Sequence, residues 1–236
     1  MPFSLSKVFT AVCVSTLLLT SCAKSPLGRN QLKLYSSDQL ANMGQQTFDG
    51  MKTEQKVSKI PVTNQFVSCV ADAITKHVPK SVFAGEWELV VFDDSQVNAF
   101  ALPGGKIGVY TGLLEVAENQ DQLAAVIGHE IGHVIAEHGN ERMSSSTLIG
   151  IGMEATNQLL QANQIANNSM IMAAIGMGVQ VGVQLPFSRT HETEADLTGL
   201  LSTHPAPQSR IEKLSENMAP AMSLYRQAKD RPQCKK

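Results

Sequence analysis

Two histidines and a glutamate stand at the spacing of a metal-binding helix. Residues 129–133 read His-Glu-Ile-Gly-His, so the histidines are four positions apart. On an α-helix such positions lie one above the other on the same face, where two imidazoles can bind one zinc ion. Glu130 then lies close enough to take a proton from a water molecule at that ion. The pattern predicts metal-assisted hydrolysis; the alternative for His129 and His133 is a pair of hydrogen-bonded histidines on a buried helix.

A catalytic zinc ion usually takes three protein ligands, so one more is expected elsewhere in the chain. His138 is nine residues from His129, which puts it on the opposite face of a continuous helix. Glu192 and Asp196 are four residues apart, so Glu192 can bind the ion while Asp196 fixes a ligand imidazole through its second nitrogen. Glu194 points about 200° away from Glu192. The alternative for this stretch is a solvated acidic helix face.

The segment around the two histidines has several features of an α-helix. Asn119 can cap its N-terminus, and Gln122 completes a capping-box pattern. Gly139 and Asn140 are typical of a C-terminal stop. Apolar residues recur between these signals at helical spacing, namely Leu123, Val126, Ile127, Ile131, Val134 and Ile135. We therefore expect a helix that contains both histidines in its interior and has an apolar back.

Strand-like segments precede this helix. Residues 87–92 form an apolar run, and residues 97–102 and 106–110 flank a Pro-Gly-Gly turn at 103–105. We expect a strand and a hairpin, and hence a small β-sheet beside the helix. Residues 144–185, rich in Met, Ala, Gly, Ile and Leu, predict two further helices. Packing in the core is the favoured interpretation of these helices, and a lid or substrate-facing hairpin is the alternative.

Four motifs, in order along the chain, resemble the zinc metallopeptidase family of the CAAX prenyl protease and HtpX. They are N-A-F-A-L-P-G-G at 98–105, H-E-x-x-H at 129–133, E-x-x-A-D at 192–196 and S-T-H-P at 202–205, the last followed by Arg210-Ile211. The resemblance covers most of residues 85–215 and is closest to the periplasmic LoiP-type lipoprotein metalloproteases. It implies an α+β, mainly helical fold, with a zincin-like (gluzincin) metallopeptidase domain over residues 36–236 and a small sheet beside the H-E-x-x-H helix.

The resemblance also implies roles for the residues of the metal site. His129, His133 and Glu192 would bind one Zn²⁺ per chain. Glu130 would act as the general base, and Asp196 would orient a ligand histidine from behind. The substrate of such a site is a polypeptide.

Further residues take roles around the substrate. His204 or Arg210 would stabilise the transition state or gate the site, unless both only shape a proline-containing turn. The strand at Asn98, Ala99 and Phe100 would offer its edge to an extended peptide. The alternative for Asn98 is an ordinary residue at the end of a strand.

One departure from the family pattern lies directly after the E-x-x-A-D motif. The family has a few dozen residues, including a helix, between this motif and S-T-H-P. Here Gly199 and Leu200 are followed at once by Leu-Ser-Thr-His at 201–204. This has the form of an internal deletion near residues 200–201, and it predicts weaker support for the Glu192 helix and lower activity.

Residues 1–21 resemble the signal peptide of a bacterial lipoprotein. An apolar stretch follows Lys7 and ends in Leu-Thr-Ser-Cys at 19–22. Cleavage before Cys22 and attachment of palmitate to its thiol would leave a lipid-anchored chain, with residues 22–35 as a tether. Because residue 23 is Ala and not Asp, resemblance to sorted Gram-negative lipoproteins predicts the outer membrane, facing the periplasm. The alternative is an ordinary secreted protein cut near Ala23.

The chain has four cysteines, and the signal accounts for two of them. Cys13 would leave with the signal peptide and Cys22 would carry lipid. Cys69 and Cys234 remain, and an even pair in an oxidising compartment predicts one disulfide. The alternative is two unrelated thiols.

Composition predicts one globular domain. Hydrophobic residues make up 43% and charged residues 17%, with a net charge of −2, which excludes a disordered polyelectrolyte. The chain has no basic stripe or glycine-rich phosphate loop, so a nucleic-acid partner is not expected.

The sequence therefore predicts a zinc-dependent endopeptidase of the bacterial cell envelope, active in quality control on misfolded or specific envelope proteins. The alternative is a zinc-binding chaperone-like or scaffold lipoprotein that lost catalysis with the deletion.

Overall fold

The structure, a computed structural model, describes residues 22–198, 223, 226, 227 and 232–236. Helices account for most of it, and the prediction of a mainly helical α+β fold is confirmed. In chain order the elements are β1 (Cys22–Lys24), β2 (Asn30–Leu32), α1 (Ser37–Glu54), α2 (Pro61–Thr75), β3 (Glu88–Phe92), β4 (Ala99–Leu102), β5 (Lys106–Tyr110), α3 (Thr111–Val116), α4 (Gln120–Ile135), α5 (His138–Ala162), α6 (Asn168–Val179), a π-helical turn (Gln180–Gln184) and α7 (Leu185–Thr198).

Several predicted features lie outside the described residues. They are the signal peptide at 1–21, the apparent deletion near 200–201, His204, Arg210, and the side chains of Cys22 and Asp196.

The strand and the hairpin expected before the metal-binding helix form one three-stranded sheet. Its order is β3-β5-β4, with β3 parallel and β4 antiparallel to the central strand. The turn between β4 and β5 contains Gly104 and Gly105 at φ angles of +84° and +72°, a region that glycine enters without steric cost. β4 is therefore an edge strand, and it packs against α4.

α4 begins where the sequence predicts and ends earlier. The side chain of Asn119 accepts hydrogen bonds from the backbone N–H groups of Asp121 and Gln122, as an N-cap does. The helix ends at Ile135, because Glu137 adopts a left-handed φ of 52° and a new helix, α5, begins at His138. The apolar face of α4 packs in the main core against α2 and the sheet.

The C-terminal tail is bound to the same core. Cys69 of α2 and Cys234, the two cysteines expected to pair, form a disulfide. The backbone N–H of Cys234 donates to the side-chain oxygen of Gln120, 2.7 Å away. Lys236 donates to two carbonyl oxygens around the end of α3, where a cation complements the helix dipole.

Residues 22–35, expected to be a tether, are instead an integral part of the fold. β1 and β2 form an antiparallel hairpin, called the N-terminal hairpin below, and Gln31 within it is 2% exposed. The chain beyond it follows α5, with hydrogen bonds from the Leu34 N–H to Ser144 and from Asn140 to the Tyr35 carbonyl. The expectation differed because these partners lie more than a hundred residues away, and local composition does not reveal them.

The two helices expected in residues 144–185 exist, but they do not pack in the core. α6 and the π-helical turn contain no buried residue. Several large apolar side chains of the segment are exposed, namely Ile151, Leu159, Met170, Met177 and Val181. The favoured interpretation was wrong because apolar composition alone does not show which face meets another element. Among the described residues, no helix is both long and apolar enough to cross a bilayer.

Candidate metal centre

α4 presents both histidines of the motif on the face that meets α7. His129 is fully buried and His133 is half-buried. One helical turn separates the two rings, and their Nε2 atoms are 3.1 Å apart. Burial and the neighbouring His129 hold the pKa of His133 well below its usual range, so the imidazole is neutral, which is the form that binds a metal.

Glu192 of α7 completes a group of three donors. Its carboxylate oxygens lie 3.2 Å from His129 Nε2 and 3.6 Å from His133 Nε2. A tetrahedral zinc ion with bonds of about 2.0–2.1 Å holds its ligand atoms roughly 3.3 Å apart. The separation of the two Nε2 atoms, and that of each from one of the two Glu192 oxygens, are close to this value. Two imidazoles and a carboxylate are donors that zinc takes. Among the described residues, His129, His133 and Glu192 are the one group of His, Cys, Asp and Glu side chains that lies close enough together to hold a metal ion.

Glu130 follows the first histidine and lines the cleft in front of these donors. Burial raises the pKa of its carboxyl group to about 7, a shift that the nearby His129 opposes and Glu192 reinforces. An acid with a pKa near neutrality can accept and return a proton at physiological pH, as a general acid–base requires. A cation bound by the three donors would favour the ionised form and so lower this pKa.

A second layer of ionisable side chains lies behind the donors. His133 Nδ1 is 2.8 Å from His138 Nδ1, and His138 Nε2 is 3.1 Å from an oxygen of Glu194. Sequence reasoning missed both contacts. It treated His138 as part of one continuous helix and placed Glu194 about 200° from Glu192 with no partner assigned, whereas the chain bends at Glu137 and both side chains are buried. The available signal was the Gly-Asn pair at 139–140, which already predicted a helix end near His138.

A cleft of about 1530 Å³ opens in front of Glu130, His133 and Glu192. Residues 100–104, from the edge strand β4 and the turn after it, line this cleft together with residues of α1. Of the predicted substrate strand, only Phe100 lines this cleft. Ala99 is buried, and the carbonyl of Asn98 accepts a hydrogen bond from the backbone of Tyr110. The role of Asn98 at the substrate edge stays a prediction.

A family profile and several known proteins match this chain. Residues 63–201 match the profile of Peptidase family M48. The chain is 32% identical over 180 residues to "Mitochondrial metalloendopeptidase OMA1" of Arabidopsis thaliana, covering 75% of this chain and 35% of that protein. It is 31% identical over 179 residues to the Schizosaccharomyces pombe protein of the same name, with coverage of 61% and 50%.

Bacterial relatives match as well. The chain is 24% identical over 144 residues to "Beta-barrel assembly-enhancing protease" of Escherichia coli, covering 59% of this chain and 29% of that protein. The chain therefore spans about half or less of the length of these relatives. The matched profile includes the H-E-x-x-H helix and the E-x-x-A-D helix that together form the metal centre.

Proposed function

We propose that this chain, which belongs to peptidase family M48, is a zinc-dependent endopeptidase. The observation that carries the proposal is the geometry of three donors from two helices, spaced for one zinc ion, with a buried acid of raised pKa beside them. Metal-assisted hydrolysis requires these parts, and Glu130, His133 and Glu192 line a cleft large enough for a peptide.

The residues divide the work of hydrolysis between them. His129, His133 and Glu192 would hold the ion, which when bound supplies a Lewis acid that polarises the substrate carbonyl and acidifies water. Glu130 takes a proton from the attacking water molecule and delivers it to the nitrogen of the leaving amine. The buried position of Glu130 favours this role, because a solvated carboxylate would be too weak a base at neutral pH.

The edge of β4 is the proposed docking site for the substrate backbone. Residues 100–104 run along the cleft beside Glu130, and the outer side of β4 has no paired strand in the described part of the chain. An extended polypeptide can add to such an edge by main-chain hydrogen bonds, which tolerate many side chains. This mode suits a protease that acts on misfolded proteins.

We place the protein on the outer membrane, facing the periplasm, through a lipid on Cys22. The Leu-Thr-Ser-Cys sequence at 19–22 supports the anchor, and the Cys69–Cys234 disulfide supports an oxidising compartment. The name of the Escherichia coli relative is that of a protease that enhances assembly of β-barrels. We infer that the substrates here are likewise polypeptides of the cell envelope.

Cleavage of casein by purified protein, measured beside zinc content, tests the function. Glu130→Gln keeps the size of the side chain but cannot accept the proton, so it should retain zinc and lose cleavage by at least about 100-fold. Glu115→Gln, an exposed glutamate outside the cleft, is the matched control and should cleave normally. Zinc binding without cleavage by the wild type would favour the non-catalytic scaffold, and normal cleavage by Glu130→Gln would place the base elsewhere.

A further inference from the structure

The ligand His133 is the first member of a chain of buried hydrogen bonds that leads away from the metal centre. Its Nδ1 lies 2.8 Å from His138 Nδ1. The other nitrogen of His138 lies 3.1 Å from a carboxylate oxygen of Glu194. His138 is held flat against a further histidine, His191, with ring centroids 4.2 Å apart and planes 13° apart.

The two ends of this chain fix the position of every proton along it. Because His133 would bind a metal through Nε2, its Nδ1 carries the hydrogen and donates to His138. His138 then accepts at Nδ1, so its own hydrogen is on Nε2 and is donated to Glu194. A carboxylate end that only accepts therefore selects the one tautomer of His133 that leaves Nε2 available for zinc.

Arg29 of the N-terminal hairpin holds the carboxylate end in place. Its Nε and Nη2 donate to one oxygen of Glu194 over 3.2 and 2.9 Å. Its two Nη atoms also donate to the two oxygens of Glu141, which is on α5 and 2% exposed. Gln31 of the same hairpin donates to Glu141 over 2.9 Å. One guanidinium thus compensates two buried carboxylates that would otherwise face each other.

Glu194 also fixes the rotation of the helix that supplies the third donor. Glu192 and Glu194 are about 200° apart around α7, so one reaches α4 and the other reaches α5 and the hairpin. A carboxylate about 5–6 Å from the helix axis moves by roughly 1 Å when the helix rotates by about 10°. A displacement of this size is enough to impair a catalytic group. Anchoring both flanks therefore sets the distance from Glu192 to the ion.

We propose that Arg29, Glu194 and His138 are positioning residues of the metal centre, and that the N-terminal hairpin is thereby a working part of it. Through His138 they select the tautomer and orientation of His133, and through α7 they hold Glu192 at bonding distance. The inference rests on the proposed function for the identity of the ion, and it adds a segment far from the H-E-x-x-H motif to the site.

Zinc affinity tests this inference separately from catalysis. The dissociation constant for zinc is measured by competition with a chromogenic chelator, on the full chain and on two variants. His138→Phe keeps a stacked ring but has no ring nitrogen. Arg29→Gln removes the positive charge and the planar set of guanidinium N–H donors. Each should weaken zinc binding by about 10-fold or more, as loss of a partner behind a metal ligand does. Lys33→Met is the matched control, because Lys33 directly follows the same hairpin and its ammonium pairs with the half-exposed Glu137.

A spectroscopic readout separates positioning from general stabilisation. With Co²⁺ as the probe, His138→Phe and Arg29→Gln should change the visible absorption bands, which report coordination geometry, whereas Lys33→Met should keep the wild-type spectrum. His138→Asn, whose side-chain oxygen can accept from His133, should recover part of the affinity lost in His138→Phe. A general stabilising role predicts lower melting temperatures with unchanged zinc affinity and spectrum, and that result would overturn the proposal.

The remaining outcomes are also decisive. Should Arg29→Gln not fold by circular dichroism, Arg29→Lys takes its place, because lysine supplies the charge but not the planar fork. An unchanged zinc affinity in Arg29→Lys would then overturn the role of the hairpin. Wild-type protein that binds zinc but cleaves nothing contradicts only the proposed function. Wild-type protein that cleaves, with variants that bind zinc normally, contradicts only this inference.

Discussion

His129 is the residue whose loss should affect metal binding most directly. It is fully buried. Its Nε2 lies 3.1 Å from Nε2 of His133 and 3.2 Å from a carboxylate oxygen of Glu192. His129→Ala should weaken zinc binding by more than about 100-fold, because a ligand has more effect than the partners behind it. Metal content after dialysis measures this. His77→Ala, at an exposed histidine away from the site, is the control, and full zinc occupancy in His129→Ala would refute the assignment.

The buried acid Glu130 should make the metal-free protein less stable as pH rises. Burial raises its folded-state pKa from 4.5 to about 7, so the folded state binds this proton more tightly than the unfolded chain. The stabilisation of the folded state that comes from this tighter proton binding is fully present below pH 4.5 and is lost as pH rises through 7. At about 1.4 kcal/mol per pH unit, the full loss is roughly 3–4 kcal/mol.

Comparison with Glu130→Gln isolates this effect from the other titrating groups. The amide has no proton to lose, so the variant should gain on the wild type in free energy of unfolding between pH 4.5 and 7. Urea denaturation in a chelator, at pH 4.5 and 7.5, measures the two differences. If the difference between variant and wild type is the same at both values, the pKa of Glu130 is not raised by burial.

Sequence reasoning reached the residues of the candidate metal centre and missed those that hydrogen-bond to them from the other side. His129, Glu130 and His133 follow from the spacing of one helix, and Glu192 from a motif whose spacing is characteristic of a family. His138 and Glu194 depend on a bend at Glu137 and on contacts between distant segments. Helical periodicity describes a single element, so it cannot extend across such a bend.

At the scale of elements, the disulfide is the strongest single link between α2 and the C-terminal tail. Cys69 and Cys234 are 165 residues apart, and a cross-link over a long loop restricts the unfolded chain. Cys69→Ser should lower the free energy of unfolding by about 2–5 kcal/mol. The double variant with Cys234→Ser should lose no more than either single variant, because each breaks the same bond.

Chemical denaturation of oxidised protein measures these losses. Dithiothreitol should bring the wild type to the level of the variants and leave the variants unchanged. Losses that add in the double variant would show that the two side chains contribute separately.

Local patterns predicted the elements whose partners are close in sequence. α4 and the β4–β5 hairpin follow from caps, periodicity and a glycine turn, and the backbone hydrogen bonds of each join residues close in sequence. The N-terminal hairpin and the α5–α6 pair were misjudged for opposite reasons. The polar N-terminal hairpin is buried because its side chains pair with distant charged residues. The apolar helix α6 is left exposed. Composition alone predicts neither outcome.

At the scale of the whole molecule, the N-terminal hairpin brings the expected anchor point close to the metal centre. Arg29 is seven positions after Cys22, so an extended chain between them spans at most about 25 Å. The structure has no free tether over residues 22–35, because the hairpin and the segment after it bind α5. A lipid on Cys22 would therefore hold the metal centre near a membrane surface.

Lipid attachment at Cys22 gives the last prediction. Cells fed labelled palmitate should produce a labelled protein that fractionates with the outer membrane. Cys22→Ala should remove the label and release the chain, because a protein without acyl chains has no comparable affinity for a bilayer. Cys13→Ala, a conservative change within the expected signal peptide, should leave both unchanged. The proposed zinc site involves the folded hairpin and not the lipid, so purified Cys22→Ala should still bind zinc. A Cys22→Ala protein that remains labelled and membrane-bound would exclude this anchor.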